Sequence, residues 1–178
     1  MLAGAALPVH AQQFPAKPIR IIVQFGPGTS TDILARLLAT PMTERLKFAS
    51  FALTEPGAGS DVAGMSCTAR RDGDHYVING SKCFITNGEY AEMFSLFCTL
   101  DKAKRHKGMM CLVVEGRPKG LTVGKHENKM GQRASNTVSL TFEDVRVPVA
   151  NRIGEEGEGF RIAMATLDNS RPLTAMFA

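Results

Sequence analysis

A glycine-containing segment, FALTEPGAGSD at residues 51–61, carries residue types that could bind a phosphate or the oxygens of a ring. Its first residues favour a strand, and the proline and two glycines that follow end that strand. Backbone N–H groups beside Gly57 and Gly59 can approach a ligand closely, and Ser60 and Asp61 add a hydroxyl and a candidate cap. A Gly-x-Gly loop alone is also typical of a plain tight turn, so its interpretation depends on the rest of the chain.

Four further motifs follow this segment: NGSKCFITNG at 79–88, MGQRASNT at 130–137, FEDVRVP at 142–148 and GEGF at 157–160. In this order and at this spacing, the chain from about residue 40 onward resembles the acyl-CoA dehydrogenase family. The TEPGAGSD and ITNG motifs are highly specific when they occur together. The resemblance covers the middle β-domain of the family and the first helix after it.

The resemblance implies that the β-domain forms one wall of an FAD site. Thr54 and Thr86 would hydrogen bond to the flavin ring, Gly59 and Ser60 would lie by the pyrophosphate, and Phe84 would stack along the isoalloxazine. The family often has Trp at this last position, so Phe84 is a departure that keeps an aromatic ring. The cofactor-binding residues implied in this way are Phe51, Leu53, Thr54, Gly59, Ser60, Phe84, Ile85 and Thr86. The competing interpretation is that the threonines are ordinary strand residues and Phe84 belongs to a core.

Acyl-CoA is the substrate that the resemblance implies. Ser60 would contact it, and Asp168 and Arg171 match an Asp-x-x-Arg motif of the family that meets the CoA thioester arm. An arginine near the C-terminal end of a helix would explain the last two almost as well. The basic run at 102–107 could attract CoA phosphates, but a solvated hairpin tip is the favoured interpretation.

The reaction of the family removes two hydrogens across the α,β bond of an acyl thioester. A carboxylate takes the α-proton while the β-hydride goes to the flavin. In the family this glutamate lies in the C-terminal helical domain, beyond this sequence, and Glu55 lies on the wrong wall. We therefore assign no catalytic residue and expect the chain alone to lack dehydrogenase turnover. The resemblance also implies electron-transferring flavoprotein as electron acceptor and a homotetramer, although the usual tetramer interface is missing.

Composition places the chain among ordinary globular proteins. It has 178 residues, 44% apolar and 21% charged, with a net charge of +4, which does not indicate nucleic-acid binding. No apolar run approaches the roughly 18 residues that a membrane span needs. The four cysteines form no CxxC motif and favour reduced, packed thiols, and the four scattered histidines do not indicate a metal site.

The pattern of the chain predicts a mainly β fold, an antiparallel barrel or sandwich of six to eight strands. Turn signals occur at 72–74 and at Asn79-Gly80, and a helical period begins at Gly157 and is predicted to end at Asn169 to Pro172. That helix lacks partners for its apolar face, so we expect it to be poorly anchored. The predicted strands are 51–54, 66–71, 75–78, 82–86, 93–100, 109–115, 121–125 and 137–142.

Three domains are predicted. Residues 1–39 form a signal-like leader and a βα appendage, residues 40–155 the β-domain, and residues 156–178 the start of a truncated helical domain. Residues 1–12 fit the tail of a secretory signal peptide or a disordered N-terminus equally well. Residues 10–39 resemble the start of the periplasmic solute-binding proteins of tripartite tricarboxylate transport systems, so the chain looks like a join of two unrelated openings.

The sequence thus leaves three functions to compare. The first is an acyl-CoA dehydrogenase fragment that carries the wall facing flavin and acyl-CoA. The second is a periplasmic carboxylate-binding protein, and the absence of further βα repeats argues against it. The third is a non-catalytic β-module that binds nothing tightly. A cytoplasmic location is favoured, with the mitochondrial matrix or the periplasm as alternatives.

Overall fold

The computed structural model of the protein describes residues 48–176. The predicted leader, the βα appendage and the join between the two resemblances lie outside the described residues. Within the described part, no helix is both long enough and apolar enough to cross a membrane.

Eight strands, one long helix and three short 3₁₀ segments make up this part of the chain. The 3₁₀ segments are Val62–Gly64, Lys102–Gly108 and Val149–Asn151. The strands are β1 Phe48–Ala52, β2 Thr68–Asp72, β3 His75–Thr86, β4 Ala91–Thr99, β5 Met109–Glu115, β6 Leu121–His126, β7 Thr137–Pro148 and β8 Arg152–Ile153, and the helix is α1 Gly159–Met176.

All eight strands belong to one sheet with the order β6-β7-β3-β2-β4-β5-β8, and β1 pairs with β4 beside this path. The mainly β prediction and its number of strands are confirmed. The sheet is not closed into a barrel. Most pairings are antiparallel, but β1 runs parallel to β4, and β2 meets β4 in a single parallel pair, Thr68 with Thr99. Because β5 occupies one side of β4, β1 and β2 share the other.

The last strand of the sheet path is very short. β8 pairs only with Cys111 and Leu112 of β5. Just before it, the Asn151 side chain donates a hydrogen bond from Nδ2 to the backbone oxygen of Val113, at 3.0 Å. This edge of β5 is thus covered by two ladder pairs and one side chain.

Strands β4 and β5 are apolar along nearly their whole length because both of their faces are covered. On one face, Phe94 packs in a large cluster with residues of β3 and β7 such as Leu140. On the other face, Phe97 packs against the loop after β1 and against α1. We call this second group the helix-side cluster: Leu53, Ala58, Val62, Met65, Phe97, Met109, Cys111, Ile162 and Ala163.

Helix α1 differs from its prediction in two ways. It continues to Met176, so the predicted end at Asn169 to Pro172 is wrong. A proline within a helix removes one backbone hydrogen bond and its ring crowds the carbonyl four residues earlier, which can bend a helix without ending it. The first turns of α1 are also well packed, since Ile162 is 7% exposed and Ala163 is fully buried. The expectation of a poorly anchored helix is therefore wrong for its first turns.

Strand β3 is longer than predicted because Asn79-Gly80 does not form a turn. The strand continues to Thr86 and pairs with β7, with register shifts between Ile78 and Gly80 and between Lys82 and Ile85. Gly80 has φ +147°, and a Cβ there would lie 2.6 Å from the Cα of Cys67. Pairing with a distant strand has overridden the local turn signal, and the glycine serves a bulge where two backbones approach closely.

We predict that Gly80→Ala destabilises the chain by about 2 kcal/mol, because the added methyl group clashes with backbone rather than with a movable side chain. Urea unfolding would measure the loss. Gly57→Ala is the matched control, since a Cβ at Gly57 meets nothing within 4 Å. The control should change stability by less than about 0.5 kcal/mol. An equal loss in both variants would show that the contact with Cys67 is not the cause.

Candidate functional site

The TEPGAGSD and ITNG motifs, far apart in the sequence, lie side by side in the fold. The loop after β1 runs beside the last part of β3, where Cys83 N donates a hydrogen bond to Thr54 O at 2.9 Å. The Ser50 hydroxyl of β1 donates to Thr86 O at 2.7 Å. We call this region, residues 53–60 together with residues 82–86, the motif edge.

Two of the predicted cofactor-binding side chains face solvent from the same part of β3. Phe84 is 64% exposed and Thr86 is exposed, whereas Ile85 between them is 1% exposed and packs in the core. Phe84 has φ +57°, a backbone conformation that is uncommon for a residue with a side chain. Phe84 is therefore a surface aromatic held in a special backbone conformation, and the competing interpretation of it as a core residue is wrong.

The glycine loop of the motif edge is a tight, open turn. Glu55 and Ala58 exchange two backbone hydrogen bonds of 3.1 Å across Pro56 and Gly57. Beyond this turn Gly59 and Ser60 are exposed, and a Cβ at Gly59 would meet no atom within 4 Å. The space beside Gly59 is therefore open to a ligand.

The remaining predicted residues of the loop act from below the surface. Leu53 is 6% exposed and belongs to the helix-side cluster. Phe51 is half-buried, with its ring centroid 5.0 Å from that of Phe97. These two residues support the motif edge from within the fold, whereas Thr54, half-buried, lies at its surface.

The two predicted residues of α1 are paired with each other rather than with Ser60. Arg171 Nη1 lies 3.3 Å from Asp168 Oδ1, and both side chains are 69% exposed. Such an exposed pair contributes little to stability. The alternative of an arginine near the C-terminal end of a helix is wrong, because α1 continues to Met176 and has no basic residue in its last turn.

Sequence reasoning missed a buried ion pair directly beneath the motif edge. Lys82 Nζ lies 2.8 Å from Glu55 Oε1, and the two side chains are 0% and 3% exposed. Glu55 belongs to the glycine loop and Lys82 to β3. The signal was present in the sequence as one acidic and one basic residue, each inside a motif, but only the fold shows that they meet.

A second cluster that sequence reasoning missed holds the turn after Thr86. Asn136, in the MGQRASNT motif, accepts hydrogen bonds from Asn87 N at its backbone oxygen, 2.9 Å, and from Glu89 N at Oδ1, 3.1 Å. Its Nδ2 donates to Glu89 Oε2 at 3.1 Å, and His126 also contacts that carboxylate. The 130–137 motif therefore supports the ITNG turn.

The cysteines are free, as the sequence predicted. Burial raises the pKa of Cys67 to about 11 and that of Cys111 to about 12. Burial also raises the pKa of Cys98 well above its ordinary value. Cys83 is half-buried, and its pKa is raised by burial and then by the negative charges of Glu127 and Glu55. None of them is an activated nucleophile, because thiolate is the reactive form.

One surface concavity of the described chain lies away from the motif edge. It is lined by Pro118, Lys119, Gly120, Thr122, Glu143, Asp144 and Arg146, and shares no residue with the edge. Its lining carries charged side chains of both signs, unlike the mostly apolar lining of cofactor pockets. In residues 48–176, no group of three or more His, Cys, Asp and Glu side chains could hold a metal ion.

The arrangement defines an open β-sheet domain with two glycine-containing motifs brought together on an exposed edge. The profile of the family described as "Acyl-CoA dehydrogenase, middle domain" matches residues 50–145. The chain therefore belongs to the acyl-CoA dehydrogenase family and contains its middle domain.

Known proteins similar to the chain agree with this assignment. The short-chain-specific acyl-CoA dehydrogenase of Clostridium acetobutylicum is 50% identical over 131 residues, which are 74% of this chain and 35% of that protein. Butyryl-CoA dehydrogenase from Megasphaera elsdenii has a TM-score of 0.72 at 43% identity, over 79% of this chain and 36% of that one. A structure described as an FAD-dependent dehydrogenase has a TM-score of 0.69 at 33% identity, over 78% and 36%. The chain spans about a third of these proteins.

We predict that Cys83 is alkylated by iodoacetamide much faster than the other three cysteines in the folded chain at pH 8. Cys67, Cys98 and Cys111 are buried and kept as neutral thiols by their raised pKa. Peptide mass spectrometry at successive times would give each rate, with the chain in guanidinium as the control in which all four react. A rate for Cys111 equal to that for Cys83 would contradict the burial described here.

Proposed function

We propose that the chain forms the β-domain wall of a site for FAD and acyl-CoA, in the α,β-dehydrogenation of acyl-CoA thioesters. The main observation behind this proposal is the arrangement of the motif edge. Phe84 and Thr86 are exposed there, and the 2.9 Å hydrogen bond from Cys83 N to Thr54 O holds their strand beside Thr54. We infer the ligands of this edge, FAD and acyl-CoA, from the membership of the chain in the acyl-CoA dehydrogenase family.

The residues of the motif edge fit a flavin. Phe84 offers an aromatic face that is already exposed, so stacking requires no rearrangement of a core. Thr54 and Thr86 offer hydroxyl and backbone groups for the edge of the ring system. The open space at Gly59, next to the Ser60 hydroxyl, suits the approach of a pyrophosphate to the backbone. When bound, FAD would accept the hydride from the β-carbon of the substrate.

The role proposed for the residues of this chain is to bind and orient the cofactor and the substrate. Ser60 would contact the acyl-CoA, and the exposed Asp168–Arg171 pair on α1 would meet its thioester arm. Electron-transferring flavoprotein is the proposed electron acceptor, and a homotetramer is the proposed assembly. Glu55 is not proposed as the base, because its carboxylate is 3% exposed and paired with Lys82.

The competing function is a β-module that keeps this fold and binds nothing tightly. The backbone of exposed Phe84 argues against it, because a positive φ is rare for a bulky residue and such strained conformations cluster at functional sites. The periplasmic carboxylate-binding alternative depends on residues outside the described part of the chain. Flavin binding separates the proposed function from both.

We predict that titrating the chain with FAD gives a saturable change in flavin absorbance and fluorescence. Thr86→Val should weaken binding by about two- to tenfold, the value of one hydrogen bond, and Phe84→Ala should weaken it further. Thr122→Val is the matched control, because Thr122 is an exposed strand threonine of β6 outside the motif edge.

Circular dichroism would first confirm that each variant is folded. A folded chain that leaves the flavin spectrum unchanged at high FAD would contradict the proposal for this chain. An equal effect of Thr86→Val and Thr122→Val would contradict the assignment of the flavin to the motif edge.

A further inference from the structure

The buried ion pair beneath the motif edge is the strongest feature that the proposed function leaves unexplained. Lys82 is fully buried and Glu55 is 3% exposed, with 2.8 Å between Nζ and Oε1. Removing two charges from water is costly, and well-packed apolar residues of similar volume often serve stability as well or better. An ion pair at this depth therefore calls for an explanation beyond stability.

Both members of the pair hold backbone as well as each other. Lys82 Nζ donates to Leu53 O at 2.9 Å. Glu55 accepts from Cys67 N at Oε1, 3.0 Å, and from Ser66 N at Oε2, 2.5 Å. Two charged side chains thus join three segments, namely the glycine loop, β3 and the segment leading into β2.

The hydrogen bonds of the ion pair involve residues next to Thr54 and close to Phe84, which lie at the surface. Leu53 and Glu55 flank Thr54 in the loop, and Lys82 lies two residues before Phe84 in β3. Between the two segments, Cys83 N donates to Thr54 O at 2.9 Å. Since Phe84 has a positive φ, its orientation depends on backbone that is fixed immediately before it.

We propose that Glu55 and Lys82 are positioning residues that fix the backbone presenting Thr54 and Phe84 at the motif edge. That the ligand facing Thr54 and Phe84 is a flavin ring rests on the proposed function. The directed hydrogen bonds of the charged pair favour one relative position of loop and strand.

Amide hydrogen exchange in the unmodified chain, followed by NMR, tests this proposal without any ligand. The amides of Cys67 and Cys83 should exchange only through global unfolding, at the rate of a core amide such as Leu112. The amides of Gly59 and Ser60, in the open part of the loop, should exchange at least tenfold faster. Exchange of Cys67 and Cys83 as fast as that of Ser60 would overturn the proposal.

The double variant Glu55→Gln/Lys82→Met removes both charges without leaving one buried and unpaired. Glutamine offers one acceptor oxygen in place of two, and methionine donates no hydrogen bond to Leu53 O. Exchange at Cys67 and Cys83, measured relative to Leu112, should rise at least tenfold. Unchanged relative rates in the folded double variant would overturn the proposal, and the unmodified chain decides the question if the variant does not fold.

Val147→Ala is the matched control, because Val147 is a core residue of β7 outside the motif edge. It should lower global stability and raise together the rates of the amides that exchange through global unfolding, leaving the ratio of Cys83 to Leu112 unchanged. A purely structural role for the ion pair would give the double variant this same uniform pattern. Because no flavin is present, failure of the chain to bind FAD would contradict the proposed function and leave this result unaffected.

Discussion

One constraint governs the middle of this fold, namely that a lysine and a glutamate are buried together. Their charges are satisfied only when the glycine loop, β3 and the segment leading into β2 keep one arrangement, with hydrogen bonds to Leu53, Ser66 and Cys67. Breaking such an arrangement leaves an uncompensated charge in the interior. The ion pair therefore fixes the backbone geometry of the surface above the pair, where Thr54 and Phe84 lie.

The helix-side cluster also supports the motif edge from within the fold. It covers the outer face of β4 and β5 with Leu53 of the loop and with Ile162 and Ala163 of α1. Leu53 therefore belongs to both systems, since its side chain packs in the cluster and its backbone oxygen accepts from Lys82. The packing of the helix and the shape of the motif edge are linked through Leu53, and Ala58 of the edge packs in the same cluster.

Local patterns were sufficient for much of the fold. Strand β5, Met109–Glu115, has the predicted bounds because an apolar run between turn signals is decided by its own residues. The continuation of β3 through Asn79-Gly80 and the full length of β7 depend on their mutual pairing, which no local signal reports. The two motifs lie side by side in the fold, through the hydrogen bond from Cys83 N to Thr54 O, and their shared role in binding a ligand stays a prediction. The Glu55–Lys82 and Asn136–Glu89 contacts that support it join residues distant in sequence, and only the fold brings these together.

The short length of β8 affects whether another chain can add a strand to this edge of the sheet. Open backbone groups along a sheet edge invite another chain to add a strand, and proteins limit this risk with short or charged edges. Here the β5 edge is occupied by the two pairs of β8 and by Asn151. Strand β6, at the other end of the path, carries Lys125 and His126 on its exposed residues. Within residues 48–176, the sheet path therefore ends in a two-residue strand on one side and in a strand with an exposed lysine on the other, and both features disfavour the addition of a further strand.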